Sequence, residues 1–172
     1  MRGISEVLDQ EVKSDGMYLD EILNVLKNAT VRLGKDSGKE VSISLHLPHR
    51  LYTGQHYAWM SIFRNLFTNA LEAEKSSYVQ IEVVQKLSGD NCIFQITDHG
   101  PGIPEENQPE IFCPGFSTKI NYETGEVSRG LGLNLVHDLI KDQFHGTISL
   151  ESVPGKTTFT ITVPKTTFTQ KG

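Results

Sequence analysis

The sequence predicts an α/β fold, a two-layer sandwich with helices on one face of a mixed, mostly antiparallel sheet and one helix in front of it. Three observations carry this. Apolar residues alternate strictly in several short stretches, the period of half-buried strands. In three other stretches they recur every three to four positions, the period of amphipathic helices. From residue 79 onward the strand-type stretches come in pairs, so hairpins dominate the sheet.

Residues 1–16 are polar and weakly patterned, whereas Leu19, Ile22, Leu26, Ala29 and Leu33 fall on one helical face, with Gly34 placed as its stop. A core-packing helix and the tail of a dimerising coiled coil both fit this spacing. Val41, Ile43, Leu45 and Leu47 alternate until Pro48 ends the strand. Between Tyr57 and Lys75 the period changes, and Ile62, Leu66, Ala70 and Ala73 form a helical stripe. Val79, Ile81 and Val83 alternate again, Ser88 to Asn91 is a turn, and Phe94 with Ile96 completes a hairpin. A Gly- and Pro-rich stretch from Asp98 to Gly132 is too long for an ordinary connector, and loops of that kind are usually functional. Leu133, Val136 and Ile140 mark a third helix, stopped at Gly146; Ile148 and Leu150, then Phe159, Ile161 and Val163, form a closing hairpin ended by Pro164. The last eight residues are expected to fray.

A chain of 172 residues suffices for one buried core, and 37% hydrophobic with 22% charged residues is a folding composition. The net charge of −5 gives no basic surface, which excludes nucleic acid as a partner on compositional grounds. Cys92 and Cys113 lack CxxC spacing, so neither a disulfide framework nor a zinc site is implied. No apolar run approaches the ~20 residues a bilayer span needs, so a cytoplasmic domain is expected, with a membrane-bound parent left open.

Three motifs carry chemistry. On the second helix Asn65 and Asn69 stand four apart and Glu72 three further on, so hard oxygen ligands share one edge. A merely solvated helix face reads the same way. Asp98-His99-Gly100-Pro101-Gly102-Ile103 follows a strand; its carboxylate can accept from an amino group and its glycines let a flat ligand approach, although Asp, Gly and Pro also make plain turns. Arg129-Gly130-Leu131-Gly132 opens the third helix, where bare N–H groups and the helix dipole suit an anion, or where glycines simply make a hinge. Neither a dinucleotide fingerprint nor a P-loop fits: a third glycine is missing after Gly132, and Gly155-Lys156-Thr157 leads into a strand.

Taken in order, these motifs resemble a known family. Asn65 to Ala70 resembles the N box, Asp98 to Ile103 the first glycine box, Ile111 to Lys119 (IFCPGFSTK) the F box, and Arg129 to Leu133 the second glycine box. Over about residues 41–163 the chain is similar to the catalytic ATP-binding domain of bacterial sensor histidine kinases, in the Bergerat-fold superfamily shared with type II topoisomerases and mismatch-repair ATPases. The resemblance implies ATP and Mg²⁺ as cofactors. Asn69, with Asn65, would hold the metal; Asp98 would recognise adenine in a pocket shaped by Gly100, Gly102 and Ile103. Phe112 and Phe116 would anchor a lid running to Gly130, with Ser117, Thr118 and Lys119 at its root. Lys119 and Arg129 would neutralise phosphate charge, Gly130, Leu131, Gly132 and Leu133 would take the phosphates, and Thr157 would lie on the floor near the adenine.

Two departures sharpen this. Hydrolysing relatives carry a glutamate where this chain has Asn65, and an amide cannot serve as general base, which favours transfer to a protein over hydrolysis. Lys156 replaces the usual second glycine before Thr157. No histidine precedes His46, and His137-Asp138 only mimics an acceptor pair, so the phosphoacceptor is expected on a separate dimerisation domain, within a homodimer that serves a response regulator. The resulting division is residues 1–36 as the end of the dimerisation hairpin, 37–165 as the catalytic domain and 166–172 as a tail. A nucleotide-gated binding module and an anti-sigma-factor-type serine kinase are the alternatives.

Overall fold

The structure is a computed structural model that describes residues 16–113 and 132–169. Strand β1 (Met17–Tyr18) leads into helix α1 (Leu19–Asp36), followed by β2 (Glu40–His46), β3 (Tyr52–Thr53), α2 (His56–Ala73), β4 (Tyr78–Ser88) and β5 (Asn91–Asp98). After a 3-10 turn at Gln108–Glu110 come α3 (Leu133–Asp138), extended by a π turn over Leu139–Gln143, then β6 (Thr147–Val153) and β7 (Lys156–Pro164). The main sheet has five strands in the order β2-β4-β5-β7-β6. Only β2 and β4 run parallel, joined through α2; the other pairs are antiparallel. The expected sandwich is therefore present. β1 and β3 form a separate two-stranded ribbon that the sequence pattern did not predict, being too short to show a period.

The side chains of the alternating strands sort as the pattern requires. Val79, Ile81 and Val83 of β4, Cys92, Phe94 and Ile96 of β5, and Phe159, Ile161 and Val163 of β7 are buried under the helices. The same burial pushes the Cys92 thiol up to about 12, which leaves it an inert core residue. The opposite face of β7 carries the partly exposed Thr158, Thr160 and Thr162, the wet side of the sheet. No helix among the described residues is long and apolar enough to cross a membrane.

Helix α1 departs from the expectation in three ways. Its buried positions are Leu19, Ile22, Leu23, Leu26, Thr30 and Gly34, while Ala29 and Leu33 face outward. A run of alternating three- and four-residue steps follows a 3.5 period and drifts ~20° per heptad on a straight helix, so its later members rotate out of the interface. Nor does Gly34 stop the helix: it packs where an added Cβ would lie 2.3 Å from the Val41 side chain, and the helix continues to Asp36. Finally, α1 contacts α2 and β2, and its buried residues belong to the same hydrophobic cluster as the sheet. Among the described residues, α1 therefore packs into the same core as the sheet.

The C-terminal segment is likewise tied down. Trp59, fully buried at the start of α2, stacks on Phe144 at 4.6 Å and packs against Phe63, Phe94 and Phe168. Phe168 is held there because Thr169 exchanges backbone hydrogen bonds with Tyr52 in an antiparallel bridge. The expected frayed tail is therefore ordered through Thr169; residues 170–172 lie outside the described residues. Phe168→Ala should lower unfolding free energy by about 3 kcal/mol in urea titrations, the usual cost of emptying a buried aromatic position. A loss below about 0.5 kcal/mol, typical of surface substitutions, would show that the tail is frayed after all.

Candidate functional site

Sheet register assembles one end of the site. Across the three antiparallel strands Asp98 pairs with Thr157, and Thr157 with Ser152, so the three side chains form a row on the helix-facing side where β5 ends. Asp98 Oδ1 accepts the Gly100 N–H at 3.0 Å, the turn an aspartate makes with the backbone two residues on. Ser152 Oγ accepts the Ile103 N–H at 2.8 Å and lies 2.8 Å from Thr157 Oγ1. Gln108 Nε2 donates to the carbonyls of both Ile103 and Ser152, and the Gly155 N–H donates to Gly100 O. The loop from Gly100 to Ile103 is thereby laced to the β6–β7 hairpin. At Gly102, φ is +86° and an added Cβ would lie 2.7 Å from Val153 O, so only glycine fits.

Helix α2 supplies the facing wall. Its apolar side seats it on the sheet, leaving Asn65 and Asn69 along an edge one turn apart. Asn65 Nδ2 donates to Ser61 O at 2.7 Å, which turns its oxygen toward Gly132, the residue that caps α3. An added Cβ at Gly132, where φ is +82°, would lie 2.1 Å from Asn65 Oδ1, so glycine is what lets this second wall close on the asparagine. Asn69 Nδ2 is buried with no hydrogen-bond partner. Lys39 Nζ donates to the carbonyls of Leu71 and Glu74 and fixes the C-terminal end of α2.

Between the two walls lies a cavity of about 70 Å³ lined by Asn69, Ala73, Asp98, Gly102, Leu133 and Thr157, with Ala70, Ile103 and Phe159 behind them. A larger cavity, about 600 Å³, opens on the outer side of the Gly102–Ile103 loop against Val153 and Pro154, away from the asparagines. The smaller one holds the chemistry: the Asp98 carboxyl on one wall and, on the other, the Asn69 carboxamide with its unsatisfied buried donor. Burial pushes the Asp98 carboxyl up from its ordinary range; the Gly100 N–H and the adjacent His99 pull it down, and the Glu74 carboxylate pushes it up further.

Residues 54–167, more than half of the chain, match the histidine kinase-, DNA gyrase B- and HSP90-like ATPase family. The chain belongs to that family. Sensor histidine kinase GlnK of Bacillus subtilis (strain 168) is 28% identical over 172 residues, covering 99% of this chain and 41% of that protein. ZraS of Escherichia coli (strain K12), also a sensor histidine kinase, is 31% identical over 177 residues, covering 95% and 34%. The nucleotide-free catalytic domain of histidine kinase ThkA has the same fold, with a TM-score of 0.70 at 22% identity over 87% of this chain and 96% of that one. The chain spans less than half the length of the two curated relatives. As a member of this ATPase family it is a nucleotide-binding domain.

Of the residues singled out by sequence, Asn69, Asp98, Gly102, Ile103, Leu133 and Thr157 line the one cavity, and Asn65, Gly100 and Gly132 border it. Phe112 packs between the His137 ring and Phe159. Phe116, Ser117, Thr118, Lys119, Arg129, Gly130 and Leu131 lie outside the described residues. Sequence reasoning missed Ser152, Gln108, Lys39 and Glu74. No local pattern could mark them, because each acts through a partner more than two dozen residues away.

The raised Asp98 carboxyl has a consequence for stability. The folded state holds the proton more tightly than an ordinary aspartate of 3.8, so above that pH the native chain binds more protons than the unfolded one and stability falls as pH rises through the window. Asp98→Asn keeps an acceptor for Gly100 and removes the buried charge. It should raise the ligand-free denaturation midpoint at pH 7, with the gain shrinking toward pH 4; equal or lower stability at pH 7 would contradict the cause assigned to the shift.

Proposed function

We propose that the chain is the ATP-binding catalytic domain of a sensor histidine kinase, holding Mg²⁺·ATP and delivering the γ-phosphoryl group to a histidine on a separate dimerisation domain, for relay to a response regulator. The observation that carries this reading is Asn65. It stands one turn before Asn69 with its oxygen against Gly132, and among the described residues lining the cavity the single carboxylate is Asp98, on the opposite wall. Among the described residues that line the cavity, none on the asparagine wall can take a proton from water, so the site is suited to hold ATP until a protein nucleophile arrives. Relatives named as sensor histidine kinases support the same acceptor class.

The residues fit the cofactors. The partnerless Asn69 Nδ2 awaits an acceptor, and the carboxamide oxygens of Asn65 and Asn69, completed by phosphate and water, are the hard donor set Mg²⁺ prefers. When bound, the ion supplies neutralisation of phosphate charge. The chain's own work is positional: Asp98 would accept from the base amino group, Gly132 brings the start of α3 against Asn65, and Leu133 with Phe159 would exclude water from the base. In the transfer itself the γ-phosphorus–oxygen bond to ADP breaks as a bond to an imidazole nitrogen forms. His137 is poorly placed as that nucleophile, with its ring packed on Phe112 and Nδ1 3.3 Å from Asp138. The domain would work in the cytoplasm, inside a longer sensor protein.

Asn69→Ala should weaken Mg²⁺·ATP at least tenfold in titration calorimetry while leaving adenosine nearly unaffected, and Asp98→Ala should impair both. Equal losses for the two ligands in Asn69→Ala would remove the metal assignment. Incubated with γ-labelled ATP, the chain alone should not label itself, and adding the parent's histidine-bearing hairpin should produce acid-labile, base-stable phosphate. Self-labelling would promote His137; tight nucleotide binding with no transfer to the hairpin would establish a nucleotide-gated binding module instead.

A further inference from the structure

Strand β6 lies at one edge of the main sheet, with β7 as its sole strand neighbour among the described residues. Which of its backbone groups face the open side follows from the turn that ends it. Pro154 and Gly155 join Val153 to Lys156 as first and fourth residues, the pair that a tight turn bonds, and Gly155 has the positive φ, +89°, that suits its third position. Bonded and non-bonded pairs alternate along an antiparallel ladder, so Ser152, Leu150 and Ile148 direct both N–H and C=O away from β7. Gln108 agrees, since its amide donates to Ser152 O at 3.2 Å, in the place a β7 N–H would otherwise fill. The outward groups of Leu150 and Ile148 have no partner among the described residues. The strand also lacks the common guards of an edge: it has no lysine, no proline and no bulge, and Glu151 is its one charge.

We propose that β6 pairs with β6 of a second copy of this chain, antiparallel about a two-fold axis at Ser149, so that one sheet runs through both copies. Self-complementarity selects both the partner and the register, because outward residues must meet outward residues. An axis at Leu150 would set Ile148 against Ser152, whose carbonyl Gln108 already holds. An axis at Ile148 would set Leu150 against Gly146, whose N–H is committed to Ile140 O. With the axis at Ser149, Ile148 of each copy meets Leu150 of the other, and the free N–H and C=O of both residues are bonded. On the helix side the half-buried Ile148 and Leu150 cover one another; on the wet face Thr147 meets Glu151, so no charge faces its like. Two bonded residues a side make a weak contact, one that gains weight where two copies are tethered and their effective concentration is high. That last step alone rests on the proposed function; the register does not.

Disulfide trapping tests the register, in a chain carrying Cys113→Ser to remove the exposed thiol; Cys92 is buried. Thr147, Ser149 and Glu151 are exposed, so cysteine at each should leave the fold intact. Across the proposed axis the two Ser149 positions form a non-hydrogen-bonded pair with Cα atoms about 4.5 Å apart, within disulfide reach. With oxidised glutathione as oxidant, Ser149→Cys should form covalent dimer about tenfold faster than Thr147→Cys or Glu151→Cys alone, the advantage of a pre-formed encounter over random collision. Mixing Thr147→Cys with Glu151→Cys should bring their joint rate up to that of Ser149→Cys, since the register sets those two positions opposite each other. In the trapped Ser149→Cys dimer the amide hydrogens of Ile148 and Leu150 should exchange with solvent much more slowly than in the reduced monomer. Equal trapping rates at the three positions, no gain on mixing, or unprotected Ile148 and Leu150 amides in the trapped dimer would each overturn the proposal and leave β6 an open edge.

Discussion

Helix α2 lies on the sheet through Trp59, Ile62, Phe63, Leu66 and Phe67, and each of these side chains is 2% exposed or less. That contact is the constraint on which the rest depends, because the same helix presents its polar edge to the cavity. A helix rotates as a unit, so burying this face fixes where Asn65 and Asn69 stand relative to Asp98, a residue of a strand more than two dozen positions later. The aromatic cluster around Trp59 locks one end of α2, and Lys39, bonded to the Leu71 and Glu74 carbonyls, locks the other. The asparagine end and the Asp98 end of the site are therefore kept at a set separation by the core itself.

Much of this was legible in the sequence because both signals are local. Alternation in Val79–Val83 and Phe159–Val163, and the helical stripe at Ile62, Leu66 and Ala70, needed only neighbouring residues to be read, and the buried face of each is the one the period gave. The motifs around Asp98 and Asn69 were legible for the same reason. Assignments failed where packing decided. Ala29 and Leu33 have the spacing of an interface but rotate outward, Gly34 looks like a stop but is a contact point with Val41, and Phe168 sits in a polar tail yet completes the aromatic cluster. Ser152 shows the limit most clearly. Its importance lies in a pairing register that brings it beside Thr157, and no pattern of consecutive residues encodes that.

The cavity is built against the stability of the empty chain. A half-buried carboxyl at Asp98 and a partnerless amide at Asn69 are groups that folding would ordinarily satisfy or leave in water. They persist because the surroundings over-determine them: Gly100, Gly102 and the Ser152–Gln108 lacing hold one wall, and the core face of α2 holds the other. A ligand that supplies an amino group and phosphate oxygens answers both groups at once. The favourable energy withheld from the empty fold is then available to binding, with stabilisation that grows with ligand concentration over its dissociation constant.

The same asymmetry bears on what the site does with a bound nucleotide. On the proposed reading Asp98 lies at the base end, where a carboxylate can discriminate but cannot reach a terminal phosphate, and among the described residues the phosphate end is bordered by Asn65 and Gly132, which bring no titratable group. Water entering there would find hydrogen-bonding partners but, among the described residues bordering it, no base, so orientation would have to drive its attack. A neutral imidazole needs no such help, since its free nitrogen already carries the attacking electron pair at neutral pH. On the proposed reading, then, the exchange of a carboxylate for Asn65 at the head of the N box suppresses the side reaction and leaves the productive one intact. What would remain to be supplied is proximity, which on that reading falls to a separate helical domain.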